Sequence, residues 1–215
     1  MCCLLDPAMY LNFSMSNGER IIEGMALTHV DDVLHGGSNK FEEQIMKPVK
    51  KAFKFGTEEA EKFRYVGMNM TQKGDGIHVD QDHYIEALEL PDMDVAKGFK
   101  AEEVLNEEGQ TEFRSCVAKV LHVGFQSRPD VCFEAKSLST KFGKATKSYL
   151  KSALKKIQKL KGQKTEMFFP NLGDVEDWSL VGYGDAGVRS MPDKINSVGG
   201  QVILLVNPKK NKALC

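Results

Sequence analysis

Thr28-His29-Val30-Asp31-Asp32-Val33-Leu34-His35-Gly36-Gly37 is the stretch that decides how this chain folds. Two adjacent aspartates sit between apolar neighbours. Upstream, Ile21-Ile22 and Met25-Ala26-Leu27 follow the polar turn Ser16-Asn17-Gly18-Glu19. Apolar runs on both sides of a short polar tip predict a hairpin carrying both carboxylates at one end. Neighbouring anions repel, and a divalent cation relieves that repulsion. Oxygen-only ligands favour magnesium, the usual partner of carboxylates in phosphoryl and nucleotidyl transfer. An Asp-Asp dipeptide alone is more often a solvated turn, so the surrounding sequence carries the argument.

Working outward, residues 41–55 place apolar side chains at 41, 45, 49, 52 and 53, a helical spacing interrupted by Pro48, where a kink or early stop is expected. Residues 63–71 read as one strand, Lys73-Gly74-Asp75-Gly76 as its turn and Ile77-His78-Val79 as the return. Gln81 or Asp82 is positioned to cap a helix over 83–90 that Pro91 ends, and residues 92–110 form an acidic connection. From 111 to 162 the pattern is helical. Thr111 opens the first helix, Pro129 fits the first turn of the second, and the third runs over 146–160 with Leu150, Ala153, Leu154, Ile157 and Leu160 on one face. A short β run over 180–183 ends at Gly184-Asp185, and a second strand over 199–206 is expected to be an exposed edge. The mixture is an α+β chain.

At 215 residues, 41% hydrophobic and 27% charged, one large or two small globular units fit. The net charge of −1 hides an asymmetry, because residues 136–164 hold ten lysines and no acid. Lys144, Lys147, Lys151, Lys155 and Lys159 form a stripe opposite the apolar face of the third helix, suited to phosphates through salt-dependent contacts. Five cysteines, none at zinc-ribbon spacing, make a poor disulfide framework and fit a reducing compartment. No apolar run is long enough for a membrane span and no signal peptide is evident, so an intracellular, cytoplasmic or nuclear, chain with no membrane partner is expected. His35, His78, His83 and His122 are not paired at metal spacing. Asp75, Asp80, Asp82 and Glu86 lack the order of a calcium loop.

Several segments in order resemble copia-type retrotransposon polyproteins, from late in the reverse-transcriptase palm to the start of RNase H. Asp6-Pro7-Ala8-Met9-Tyr10 followed by the Val30-Asp31-Asp32 segment is similar to the palm's catalytic hairpin. The stretches Phe63 to Met70 and Asp75 to Gln81 resemble the hairpin after it, and His83-Tyr84-Ile85 the start of the next helix. Phe113-Arg114-Ser115 to Leu121, then Arg128-Pro129-Asp130-Val131, resembles the helical stretch behind the palm. Leu180 to Gly187 with Asp193 to Gly200 resembles the opening of RNase H.

The resemblance implies an RNA-directed DNA polymerase with appended RNase H. Asp31 and Asp32 would be catalytic magnesium ligands of the first site, and Asp185 the first metal ligand of the second, with Asp193 a solvated turn residue. His29 stands where the family has an aromatic. The polymerase's further aspartate would lie upstream and the nuclease's next glutamate downstream. The expectation is therefore a fragment inactive as an isolated chain, or alternatively a non-catalytic relic that binds nucleic acid. Expected segments are a partial palm over 1–90, the acidic connection over 91–110, a helical connection with a basic face over 111–170, and a truncated RNase H-like region over 171–215. The expected partners are an RNA–DNA hybrid or another nucleic acid, bound weakly through the lysines, and further copies of the chain through exposed apolar surface.

Overall fold

Two tight turns fold residues 9–37 into an antiparallel meander in the computed structural model, which describes residues 6–90, 101–187 and 198–214. Pro91, residues 92–100 of the acidic connection and the turn holding Asp193 lie outside the described residues. The chain forms two compact units, residues 1–67 and 68–215. Among the described residues no helix is long and apolar enough to cross a membrane.

In the first unit, strands β1 (Met9–Ser16), β2 (Glu19–His29) and β3 (Asp32–Gly37) pair in that order. Asn17 and Gly18 both take positive φ in the first turn, as a two-residue hairpin loop requires. Gly24 of β2 and Gly37 of β3 leave room for Phe41. A Cβ built on Gly24 would stand 2.3 Å from the Phe41 ring, against open space at Gly36. Gly24→Ala is therefore expected to destabilise this unit by about 1–3 kcal/mol through overpacking. Thermal unfolding measures it, with Gly36→Ala the near-neutral control.

Phe41 belongs to a helical run made of α1 (Asn39–Phe41), a π-helical turn (Glu42–Met46) and α2 (Lys47–Ala52). Ser38 caps it, its hydroxyl accepting from the Phe41 amide at 3.2 Å while donating to Glu23 at 2.5 Å. The Ser14 and Ser38 hydroxyls, with Lys40, hold the Glu23 carboxyl down to about 2. The interruption expected at Pro48 takes the form of the widened turn just ahead of it, where a ring without an N–H is accommodated. The helix stops at Ala52, earlier than the spacing predicted, because Phe53 is extended. The single strand predicted over 63–71 is divided into β4 (Lys62–Tyr65) and β5 (Met68–Lys73). Val66 and Gly67 both take positive φ there, a turn that apolar Val66 concealed.

The second unit opens on β5, β6 (Gly76–Asp80) and β7 (Met167–Pro170), which pair antiparallel in that order, with Lys73 opposite Gly76 as the turn chemistry predicted. A short helix α3 (Asp82–Ala87) follows; Gln81 precedes it without a side-chain cap bond. Buried Gln81 instead accepts from Ser127 at 2.8 Å and donates to Gln126.

Helix α4 spans Glu107–Gln126, starting before the predicted Thr111 because the Asn106 side chain accepts from the Gly109 amide at 2.9 Å. Pro129 opens a single 3-10 turn that runs into α5 (Cys132–Ser139), and α6 (Lys147–Gly162) follows Thr146. Phe113, Val117, Val120 and Val123 of α4 pack with Leu150, Leu154, Ile157 and Leu160 of α6 and with Val131 and Ala135, all essentially without solvent contact. This is the core predicted by periodicity. Arg128 is buried within it, 2% exposed, with both edges of its guanidinium occupied.

The last sheet has the order β10-β9-β8, from β8 (Ser179–Gly187), β9 (Val198–Asn207) and β10 (Lys212–Leu214). The strand expected to be an edge, β9, is thus central, because residues 208–211 turn the chain back and β10 pairs with Leu205 to Asn207. Leu180, Tyr183, Val202 and Ile203 remain exposed on the sheet.

Candidate nucleic-acid interface

The Asp31-Asp32 hairpin forms as expected, with His29 opposite Asp32 and Val30-Asp31 in a two-residue turn. Val30 is 94% exposed and takes φ 55, an uncommon conformation for a β-branched residue. Asp31 and Asp32 are both solvent-exposed at this tip. Asp6 belongs to the same end of the sheet, since its carbonyl accepts from the Met9 amide and Ala8 bonds Thr28. Burial, then the charges of Asp32 and Asp6, push the Tyr65 hydroxyl upward. The hairpin tip is therefore more acidic than the dipeptide alone indicates. Sequence reasoning assigned Asp6 no role, because nothing local marks a lone aspartate before a strand.

Asp185 belongs to the second unit. It lies inside β8 opposite Gly200, not at the end of a short strand as predicted. Glycines at 182, 184 and 187 concealed how far the strand continues. A shallow cleft of about 420 Å³ lined by Gly184, Asp185, Gly199, Gly200 and Gln201 leaves its carboxylate approachable. Among the described residues, no three His, Cys, Asp or Glu side chains gather in metal-binding geometry. Asp31 and Asp32 are adjacent hard oxygen donors and match magnesium in chemistry; among the described residues Asp185 has no companion acid lining its cleft.

Four of the five predicted lysines lie on α6, and Lys144 precedes the helix in a bend. The helix's buried stripe of Leu150, Ala153, Leu154, Ile157 and Leu160 turns the opposite side to water. Lys144, Lys151, Lys155 and Lys159 are exposed and make no ion pair among the described residues, whereas Lys147 meets Glu103 at 3.2 Å. Lys156 pairs with Glu134, and Lys164 with Glu86 at 2.7 Å. The acid-free run of sequence is thus partly neutralised by acids from other elements, and four of the five predicted binding lysines make no ion pair among the described residues. The opposite sign collects at the α4 N-terminus, where Glu89, Glu107, Glu108 and Glu112 line a cleft of about 910 Å³. Burial, reinforced by Glu108, raises the Glu112 carboxyl.

Cys116 is a core residue, its thiol pushed up to about 11 by burial, and is unsuited to nucleophilic work. His78 is held at Nδ1 by Glu166 at 2.6 Å and at Nε2 by Asp75 at 3.3 Å, tying β6 to the chain entering β7. No family model, curated protein or solved structure matches the chain.

Proposed function

We propose that this chain is a segment of a copia-type retrotransposon reverse transcriptase whose own biochemical role is to bind nucleic acid through α6. The observation that carries this reading is the row of exposed lysines without an ion pair among the described residues, Lys151, Lys155 and Lys159 on a helix whose other face is locked into the core, with Lys144 just ahead of it. Packing fixes the helix backbone, so binding orders only the lysine side chains. Phosphate backbones meet such a row through sequence-independent contacts that release counterions. An RNA–DNA hybrid is the duplex expected of the lineage.

Asp31 and Asp32 are the residues that would hold magnesium, which when bound neutralises phosphoryl oxygens and favours ionisation of an attacking hydroxyl. Two carboxylates on one hairpin do not make the clamp on attacking and leaving oxygens that nucleotidyl transfer needs, so the isolated chain is read as a binder. Purified chain should give no magnesium-dependent extension of a primed RNA template while retaining hybrid binding in a fluorescence-anisotropy titration. Extension that disappears in Asp31→Asn would overturn this reading in favour of an active polymerase.

A further inference from the structure

Two large aromatic side chains lie on the surface of the helical unit beside fully buried core positions. Phe125, in the last turn of α4, is 74% exposed, and Phe133, in the first turn of α5, is 65% exposed. Their neighbours Val123, Val131 and Ala135 have no solvent contact. The backbones that carry them meet between α4 and α5. Gly124 approaches Cys132 so closely that an added Cβ would meet its sulfur at 3.0 Å, so the residue before each phenylalanine lies at this seam.

That seam runs along the edge of α6. Glu134, beside Phe133, is paired with Lys156, and Lys159 acts electrostatically on Asp130. Both local acids are neutralised, Asp130 by the two-pronged bond from Arg128 and Glu134 by Lys156. Lys155 and Lys159 keep their charges, and exposed Lys136 stands one helical turn from Phe133. Exposed aromatic faces beside one-sided positive charge match a ligand with phosphates on one side and unstacked flat rings on the other. A paired duplex keeps its bases stacked and offers the rings nothing.

From this we propose that Phe125 and Phe133 form a stacking platform for single-stranded nucleic acid whose backbone follows the α6 lysines. The proposal rests on the nucleic-acid reading of α6 and adds unpaired strands to its ligands. The test uses the full chain with fluorescein-labelled oligouridylate, oligothymidylate and an RNA–DNA hybrid, circular dichroism confirming that each variant is folded. Phe125→Ala and Phe133→Ala should each weaken single-strand binding by about 5- to 100-fold while leaving the salt dependence and the hybrid affinity nearly unchanged. Lys155→Glu with Lys159→Glu should weaken both ligands and flatten the salt dependence. Single-strand affinity untouched by either phenylalanine variant, but lowered by the lysine variant, would overturn the platform and leave the α6 reading standing. No binding of any probe would overturn both. Concentration-dependent dimerisation abolished by Phe133→Ser, with unchanged single-strand affinity, would reassign the patch to a contact between copies and overturn the platform.

Discussion

Replacing Arg128 with alanine lowers the stability of the helical unit by about 2–4 kcal/mol, mainly through lost packing of a buried side chain, since the Asp130 carboxylate left behind is half-exposed. Arg128 is the largest of the fully buried side chains, so truncation leaves a cavity as well. Its Nε and Nη2 donate to the two Asp130 oxygens at 2.8 and 2.9 Å, and Nη1 donates to the Gln163 carbonyl at 2.9 Å. One guanidinium thus ties the end of α4, the entry to α5 and the residue after α6. Lysine has a single point charge in place of the planar fork, so Arg128→Lys recovers less than half of the loss. Urea unfolding followed by helical circular dichroism gives the difference. A loss below about 1 kcal/mol would mean that the pair is incidental.

The same bond sets an acid limit. Arg128 holds the Asp130 carboxyl below its usual range. A carboxylate lowered in the folded state stabilises at pH above its unfolded value and loses that contribution as pH falls through the folded one. Unfolding of the helical unit should therefore become easier below about pH 4, and Asp130→Asn should reduce that dependence.

Reversing charge at Lys151, Lys155 and Lys159 together is the second large effect. Each is exposed on α6 and makes no ion pair among the described residues, so glutamate at these positions leaves the core untouched. Losing three phosphate contacts and adding three anions should weaken hybrid binding by on the order of a hundredfold or more at low salt. The helix should keep its circular dichroism signal. Lys156→Glu is the informative contrast. It also places a glutamate opposite Glu134, so it should cost stability as well as affinity.

Much of this arrangement was legible because the signals were local. Lys73 to Gly76 is turn chemistry, Pro129 a first-turn residue, and Leu150 to Leu160 a helical apolar period; each survives in the structure. The misjudged elements were those decided by contacts or unusual backbone. Asn106 starts α4 inside an acidic stretch with little periodicity, and Val66 occupies a positive-φ turn position that its side chain does not advertise. The lysine stripe was visible, but the acids facing it were not. Glu103 lies 44 positions before Lys147, and Glu86 lies 78 before Lys164, so no linear charge count reveals which cations stay free. Arg128 read as part of a motif, and only three-dimensional packing assigns it to the core. At the hairpin tip the Asp pair was evident, while Asp6 joined it through the register of β1 against β2.

The central claim is that Lys151, Lys155 and Lys159 of α6, with Lys144 just ahead of the helix, meet nucleic acid. It is tested most directly by titrating an RNA–DNA hybrid with the full chain across a series of salt concentrations. Four phosphate contacts predict that log K falls against log salt with a slope of about −3 to −4. A slope near zero, or no measurable binding at low salt, would contradict it.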